Sequence, residues 1–425
     1  MQTELLIQMF DEGGNDERLF DIYVDETKIP YQRERYINAI KKFEQYYGPG
    51  DVVLFSAPGR SEIGGNHTDH QHGEVLAASV NLDTIGVVKA TDDNTIRVVS
   101  DNYDEIIIPI NDVSVREEEK ETTKALIKGV VSGFLDRQYA TGGFCAYITS
   151  DVLIGAGLSS SAAFETLIGT ILSGLYNDMK VSATEIAIIG QYAENTYFGK
   201  PCGLMDQMAS STGNLVHIDF YNPESPKVEK IDFNMEEYGY RLCITDTKGS
   251  HADLTDEYAA VPKEMKLVAE HFGKEVLRDV SAGDILKEIH ILRNSLGDRC
   301  VLRALHFICE NERVQKEVSA LKDGNIVTFL ENVKASGDSS FKYLQNVYSN
   351  KDISNQNVSV ALLISEMLLG GNGVCRVHGG GFAGTIQAFV KSEYVAEYKK
   401  GMEQVFGKDT CRDLRIRKYG GIKVL

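Results

Sequence analysis

The sequence predicts a two-domain α/β protein in which strands and helices are mixed. Its 425 residues suffice for two domains, since a domain takes roughly 100–200 residues. Strand-like runs are concentrated in the first half of the chain, whereas helical periodicity dominates after residue 255. A polar turn at residues 221–226 separates the two patterns. We therefore predict one domain over residues 1–222 and another over residues 223–425.

The N-terminal half is predicted to combine short strands with two helices. Apolar residues recur at helical spacing over residues 31–43 and 121–135, so each segment should form a helix with one buried face. The predicted strands are apolar runs bounded by turn residues, at 52–57, 74–81, 84–90, 96–99, 106–110 and 144–149. Pro58-Gly59 is predicted to end the first strand.

The remaining elements are mainly helical. A capping box formed by Ser182 and Glu185 predicts a helix that runs to about Phe198. Strands are expected at 215–220, 241–245 and 385–390, and further helices at 255–271, 282–293, 296–321, 324–334, 358–369 and 393–405. The basic tail at 412–423 alternates with apolar residues, which predicts a strand with one solvated face.

Charge and cysteine content exclude several classes of protein. The formal net charge of -18 disfavours a nucleic-acid or anionic-membrane partner, because such partners require broad positive fields. The seven cysteines include no Cys-x-x-Cys pair and are odd in number, which fits a reducing compartment. The first twenty residues lack a basic n-region, and no apolar run approaches the ~18 residues of a membrane span. We expect a cytoplasmic protein.

A loop rich in glycine and serine lies between the strand predicted at 144–149 and a strongly periodic helix. Its residues are Gly155, Ala156, Gly157, Leu158, Ser159, Ser160 and Ser161. A helix N-terminus presents unpaired N–H groups and a positive dipole end, and small residues let an anion approach the backbone closely. The loop, called the cradle below, therefore predicts a phosphate site for a nucleoside triphosphate. The alternative is a strand-to-helix turn with ordinary capping; a Walker or dinucleotide motif is absent.

Three further motifs flank the cradle in the sequence. They are APGRSEIGGNHTDHQHG at 57–73, CGLMDQMAS at 202–210 and CRVHGGGFAG at 375–384. With the cradle, and in this order, they resemble the galactokinase branch of the GHMP small-molecule kinases along nearly the whole chain. The resemblance implies the GHMP kinase fold, with the active site in the cleft between two domains, and an ATP-dependent phosphotransferase that acts on a sugar hydroxyl.

The resemblance also implies a catalytic pair and a metal site. Asp206 corresponds to the base near the anomeric hydroxyl of the sugar, with Arg60 beside it to keep that carboxylate ionised and to offset the transferring charge. Ser161 and Glu194 correspond to ligands of Mg²⁺, which prefers hydroxyl and carboxylate oxygens. The alternatives are that Asp206 caps a helix and that Glu194 is a solvated helix residue.

The implied sugar contacts are Asn66, His67, Asp69, Gly203 and Tyr258. Alternatives remain for two of these groups. Tyr258 could be an ordinary core aromatic residue, and His67, His70 and His72 with Asp69 could form a metal site. The glycines at 379–381 correspond to a second tight turn beside the phosphates and the sugar, or to a purely structural turn.

The motif at 57–73 departs from the usual galactokinase pattern where it faces the sugar. Galactokinases normally carry a glutamate just before His-Thr-Asp, near C6 of the sugar, and this chain has Asn66; Ser61, Glu62 and Gly64 also differ. Galactose is the expected substrate, and galacturonate or another galacto-configured sugar is the alternative. A non-catalytic sugar and ATP sensor is the alternative of another class. We expect a monomer, with a homodimer as the alternative.

Overall fold

Two antiparallel-rich β-sheets organise the chain, one in each half. The computed structural model describes residues 1–101, 103–152, 157–249 and 254–425. The strands of the larger sheet are β1 (Val53–Gly64), β2 (Glu74–Thr91), β3 (Thr95–Ser100), β4 (Ile106–Pro109), β5 (Gly143–Ser150), β6 (Leu215–Asp219), β7 (Lys227–Ile231) and, from the C-terminus, β12 (Ile422–Lys423). Those of the smaller sheet are β8 (Tyr240–Asp246), β9 (Gly373–His378), β10 (Thr385–Lys391) and β11 (Cys411–Leu414).

The long strand β2 connects the two parts of the larger sheet. Strands follow the order β12-β1-β2-β5-β3-β4, while β6 pairs with the first residues of β2 and β7 pairs with β6. All pairings are antiparallel except that of β3 with β5. The two strands predicted at 74–81 and 84–90 are therefore one continuous strand, and the break expected at Leu82-Asp83 is absent.

Helices cover both faces of the larger sheet. They are α1 (Thr3–Asp11), α2 (Asp16–Tyr23), α3 (Ile29–Tyr47), α4 (Thr123–Asp136), α5 (Ser160–Tyr176), α6 (Ala183–Tyr192) and α7 (Met205–Thr212). Because side chains alternate along a strand, Leu54 packs with the N-terminal helices and Phe55 packs with α4, α5 and α6 on the opposite face. The predicted N-cap is confirmed, since Ser182 Oγ accepts the Glu185 N–H at 3.2 Å, whereas the Glu185 carboxylate pairs with Arg137 at 3.0 Å; α6 continues as a π-helical turn, Ala193–Phe198.

The second half is mainly helical around the smaller sheet. Its strand order is β11-β8-β10-β9, all antiparallel. Its helices are α8 (Thr255–His271), α9 (Ala282–Lys287), α10 (Ile289–Leu296), α11 (Asp298–Lys322), α12 (Ile326–Ser339), α13 (Asn357–Leu369) and α14 (Val395–Phe406). One core cluster takes Ile63 and Leu76 from the larger sheet together with Leu242 and Phe389 from the smaller one, so the two halves share a buried interface.

Elements from beyond residue 222 also complete the larger sheet. Strands β7 and β12 both belong to it, and the C-terminal tail returns across it. The prediction of a solvated tail is wrong for Arg417, which is fully buried and donates to Asp83 at 3.0 Å. The same carboxylate accepts from Arg35 at 2.6 Å and from Tyr23 at 2.8 Å. The division at residue 222 stays a prediction.

None of the described helices combines the length and the apolar character required to cross a bilayer.

Candidate active site

A paired arginine and aspartate lie where the two halves meet. Arg60 comes from β1, and Asp206 comes from the first turn of α7. Arg60 Nε donates to Asp206 Oδ1 and Arg60 Nη2 donates to Asp206 Oδ2, both at 2.7 Å, which is a bidentate pair. Burial alone would raise the pKa of Asp206, but the Arg60 guanidinium and the Ser159 hydroxyl hold it below its ordinary value. Asp206 is therefore ionised at neutral pH.

The cradle lies against this pair. Ser159 Oγ donates to Asp206 Oδ2 at 2.7 Å, and the Gly157 carbonyl accepts a hydrogen bond from Arg60 Nη1. Helix α5 begins at Ser160, yet the side chain of Ser159 makes no capping hydrogen bond, so ordinary capping does not account for this serine. Gly157 has φ +72°, and a Cβ there would lie 2.5 Å from Thr385 Oγ1. Two predicted cradle residues, Gly155 and Ala156, lie outside the described residues.

The predicted metal ligands lie side by side. Ser161 Oγ donates to Glu194 Oε1 at 3.1 Å, and Gln207 Nε2 donates to Glu194 Oε2 at 2.7 Å. Glu194 is buried, so it is not the solvated helix residue of the alternative prediction, and Lys200 Nζ approaches its Oε1 at 3.3 Å. One carboxylate and one hydroxyl are a donor set that fits Mg²⁺, which usually completes its octahedron with waters and substrate phosphates.

A polar cavity of about 200 Å³ opens beside the arginine–aspartate pair. Its lining combines residues of both halves of the chain: Arg60, Glu62, His67, Asp69, Cys202, Gly203, Met205, Asp206, Gly379 and Gly380. Three of the five predicted sugar contacts, His67, Asp69 and Gly203, therefore meet the predicted catalytic pair in one cavity. Gly203 has a steric reason to be glycine, because a Cβ there would collide with the Asp69 carboxylate.

The pKa values of His67 and Asp69 are shifted from those of exposed residues of the same type. Burial lowers the pKa of His67 to about 4, and its Nε2–H donates to the Gly380 carbonyl at 3.0 Å, so the ring is neutral at pH 7. Burial raises the pKa of Asp69 to about 6, and the nearby Asp206 charge adds to that shift. The alternative of a histidine metal site is not supported: the described residues contain no cluster of three or more His, Cys, Asp or Glu side chains suited to a metal.

Two predicted sugar contacts do not line this cavity. Tyr258 supports the glycine turn instead, since its hydroxyl donates to the Gly381 carbonyl at 2.8 Å and its ring contacts Phe382 edge-on at 5.3 Å between centroids. The turn itself requires glycine, because Gly381 has φ +79° and a Cβ there would collide with the Asn346 carbonyl.

Asn66, the other of the two, is completely buried. Its Nδ2 donates to Glu62 Oε1 at 3.0 Å and to the Gly379 carbonyl at 2.8 Å. Its Oδ1 accepts from Ser340 Oγ at 3.1 Å and from Asn346 Nδ2 at 2.9 Å. The side-chain amide is thus hydrogen-bonded to Glu62 and to three residues from the second half of the chain, and the expectation that it contacts the sugar directly stays a prediction.

Comparisons with known proteins agree with the motifs in the cavity. Residues 41–90 match the galactokinase galactose-binding signature, and residues 125–214 match the N-terminal domain of the GHMP kinases. A galactokinase from Glaesserella parasuis serovar 5 is 31% identical over 377 residues, which are 87% of this chain and 93% of that protein. The chain belongs to the galactokinase family. A galactokinase of the same family from Actinobacillus pleuropneumoniae serotype 3 is 31% identical over 378 residues, 88% of this chain and 94% of its own.

Solved structures show the same GHMP kinase fold. The galactokinase of Lactococcus lactis, complexed with galactose, has a TM-score of 0.76 at 23% identity, covering 90% of this chain and 98% of its own. The mevalonate kinase of Methanococcus jannaschii has a TM-score of 0.61 at 17% identity, and the match covers 86% of this chain and 99% of that protein. The predicted fold class, with mixed sheets and helices and a cleft between the two halves, is confirmed.

Two polar residues of this site, Glu62 and Lys200, were not predicted from the sequence to belong to it. Glu62 lines the cavity because β1 continues past Pro58-Gly59 to Gly64, and alternation along the strand then places Arg60 and Glu62 on the same face. Lys200 lies beside Glu194 in the segment between α6 and α7. The signal for Glu62 was available in the alternation of residues 60–64, but the strand was predicted to end at Pro58-Gly59.

Proposed function

We propose that this chain is an ATP-dependent sugar 1-kinase, most specifically a galactokinase that converts ATP and galactose into ADP and galactose 1-phosphate. One observation carries the proposal. The bidentate pair of Arg60 and Asp206 lies between the serine cradle, which suits phosphates, and a cavity lined by polar groups, which suits a polyol. A hydroxyl bound against Asp206 would face a phosphoryl group held at the N-terminus of α5.

The reaction follows from this placement. The ionised Asp206 accepts the hydrogen bond of the anomeric hydroxyl and takes its proton as the new O–P bond forms and the bond to the ADP oxygen breaks. Arg60 keeps Asp206 ionised and in one orientation through its two hydrogen bonds. Its charge also opposes the negative charge that spreads over the transferring group. The proton leaves Asp206 for solvent when the product dissociates, since the carboxyl is 28% exposed.

Phosphate binding is supported by the cradle and by a nearby cation. The free N–H groups at the start of α5 suit the phosphates of ATP. Ser161 and Glu194 would hold Mg²⁺, which neutralises charge on the β and γ phosphates. Lys200 is positioned to turn from Glu194 toward the triphosphate, since its side chain is 64% exposed.

Location and assembly are also part of the proposal. The structure records all seven cysteines as free, which supports a reducing compartment and hence the cytoplasm. We propose that the enzyme acts as a monomer on sugar and Mg·ATP, because the cavity is lined from both halves of a single chain.

The test is ADP release by the purified protein with Mg·ATP against a panel of sugars. Galactose, galacturonate, N-acetylgalactosamine, arabinose, fucose and glucose would be compared by kcat/KM. The highest value is expected for galactose. A preference for galacturonate would support the alternative substrate, and tight sugar binding without turnover of any sugar would support the sensor and contradict the kinase.

A further inference from the structure

The Glu62 carboxyl lies in the sugar cavity, although Glu62 was not among the sugar contacts predicted from the sequence. It is two residues from Arg60 on β1, and both side chains point to the face of the strand that borders the cavity. Its side chain is only 5% exposed. Glu62 is thus a buried acid whose open side is the cavity itself.

One carboxylate oxygen of Glu62 is fixed by two side chains. Oε1 accepts from Arg376 Nη2 at 2.7 Å and from Asn66 Nδ2 at 3.0 Å. Arg376 is held in turn by the Ile63 carbonyl, which accepts from its Nη1 at 2.8 Å. Because these groups are buried, the Glu62 side chain has one orientation rather than many.

The other oxygen, Oε2, differs from Oε1 in its surroundings. No side chain or backbone group in the described ranges donates a hydrogen bond to it. Oε2 is not among the fully buried unpaired atoms, so it stays accessible from the cavity, where a sugar hydroxyl could donate to it directly. Burial raises the pKa of Glu62 to about 7, against the lowering effect of Arg376, and such a donor would favour the ionised form.

The charges around the cavity favour a neutral ligand. Three carboxyl groups line it, from Glu62, Asp69 and Asp206, and the lining cation Arg60 is already paired with Asp206. A sugar that carries hydroxyl groups can donate to these acceptors. A sugar with a carboxylate would place a fourth acidic group in the same small volume, and Arg60, the cation among the described lining residues, is already paired with Asp206.

We propose that Glu62 is the carboxyl that recognises the sugar in this chain, that it selects neutral hexoses over uronic acids, and that Asn66 acts by positioning it. The inference rests on the proposed sugar kinase function and specifies the class of substrate. Asn66 Nδ2 donates a hydrogen bond to Glu62 Oε1, and Asn66 Oδ1 accepts hydrogen bonds from Ser340 and Asn346, which fix the amide in place. The selective group is therefore on β1, and the residue before the His-Thr-Asp motif supports it.

The experiment compares Glu62→Gln with a matched control, Glu317→Gln. Glu317 is another fully buried acid, on α11 against Gly64, and it does not line the cavity. Steady-state kinetics would use galactose, galacturonate and the 2-, 4- and 6-deoxygalactoses, and calorimetry would give the Kd for galactose. All variants would be checked for fold by circular dichroism and thermal melting.

For Glu62→Gln, we expect KM and Kd for galactose to rise about tenfold or more, with kcat changing far less, because a charged hydrogen-bond acceptor is lost in binding. The preference for galactose over galacturonate should fall by a similar factor. One of the deoxygalactoses should lack the hydroxyl that Glu62 binds. For that sugar, kcat/KM should be almost the same in Glu62→Gln as in the wild-type protein. Glu317→Gln should keep the wild-type sugar preferences, and Asn66→Ala should change them in the same direction as Glu62→Gln.

Wild-type preferences in Glu62→Gln across this panel would overturn the role of Glu62. If Glu62→Gln fails to fold, Glu62→Asp replaces it, because this variant keeps the charge but withdraws the carboxyl from the cavity. A kcat/KM for galactose that is unchanged in Glu62→Asp would also overturn the role of Glu62. Preference of the wild-type protein for galacturonate would overturn the selection of neutral sugars. Absence of wild-type turnover with every sugar would instead contradict the proposed kinase function, so the two failures are distinguishable.

Discussion

The guanidinium of Arg60 and the carboxylate of Asp206 are joined by two parallel hydrogen bonds, both of 2.7 Å, across 146 residues of sequence. The pair joins β1 to α7 and adjoins the cradle through Ser159. It keeps one carboxylate ionised and oriented at the point where phosphates and sugar would meet. Turnover is therefore expected to depend on both residues of the pair.

Replacing Arg60 by Ala should lower kcat by about 10²–10³-fold, the size expected when one preorganised donor to developing charge is removed. The affinity for ATP should change much less, because the cradle amides and the metal would hold the triphosphate in the ground state. Steady-state kinetics and calorimetry with a non-hydrolysable ATP analogue measure the two effects separately. An unchanged kcat would remove Arg60 from the catalytic residues.

Sugar binding should weaken as the pH falls from 8 toward 5.5. Burial raises the pKa of Asp69 to about 6 and that of Glu62 to about 7, so both take up protons in this range and lose acceptor oxygens for sugar hydroxyls. Asp206, whose pKa lies below its ordinary value, stays ionised, so kcat should remain level while kcat/KM for the sugar declines.

The pH profiles of Asp69→Asn and Glu62→Gln provide the check. Each variant lacks one of the two titrating acids, so each should show a shallower decline of kcat/KM than the wild-type protein. A wild-type decline in kcat itself over the same range would mean that the chemical step titrates there, and would contradict the assignment of these acids to sugar binding.

Ser161→Ala should raise the concentration of Mg²⁺ needed for half-maximal turnover. The substitution removes one of the two proposed protein ligands and leaves Glu194 in place. Initial rates over a titration of free Mg²⁺ at saturating ATP measure the effect. Ser225→Ala, on an exposed turn, is the control and should keep the wild-type curve. Identical curves for Ser161→Ala and the wild type would exclude Ser161 as a ligand.

Arg417→Ala should destabilise the fold by about 1.5–3 kcal/mol, because it removes one charged hydrogen-bond partner of the fully buried Asp83 carboxylate, which keeps Arg35. The neighbouring Lys418 is exposed, and its ammonium lies 3.7 Å from the Asp21 carboxylate, so Lys418→Ala should leave the free energy of unfolding almost unchanged. Chemical denaturation with a two-state fit gives both values. Equal free energies of unfolding for the two variants would contradict a structural role for the buried tail.

Local patterns in the sequence were enough to predict several elements of this structure. The N-cap at Ser182 and the helix after the cradle follow from neighbouring residues, and the structure contains both. Strand β1 was predicted too short because Pro58-Gly59 usually ends a strand. In the structure Pro58 pairs with Asp83 on β2, and a register shift between Pro58 and Arg60 accommodates the interruption.

Long-range contacts explain what the sequence could not reveal. The burial of Asn66 depends on Ser340, Asn346 and Gly379, which are more than 270 residues away in the chain. The burial of Arg417 depends on Asp83, at a similar separation. A basic residue in an alternating tail usually faces solvent, and only the tertiary structure supplies the buried acid that reverses this expectation.

The most direct test of the account is the identity of the product formed with galactose and Mg·ATP, followed by ³¹P and ¹³C NMR for the wild-type protein and for Asp206→Asn. The account predicts phosphate on the C1 oxygen of galactose with stoichiometric ADP, and a rate at least about 10²-fold lower in Asp206→Asn, which keeps the shape of the carboxylate but not its charge. Phosphate on another hydroxyl, or an undiminished rate in the variant, would contradict the account.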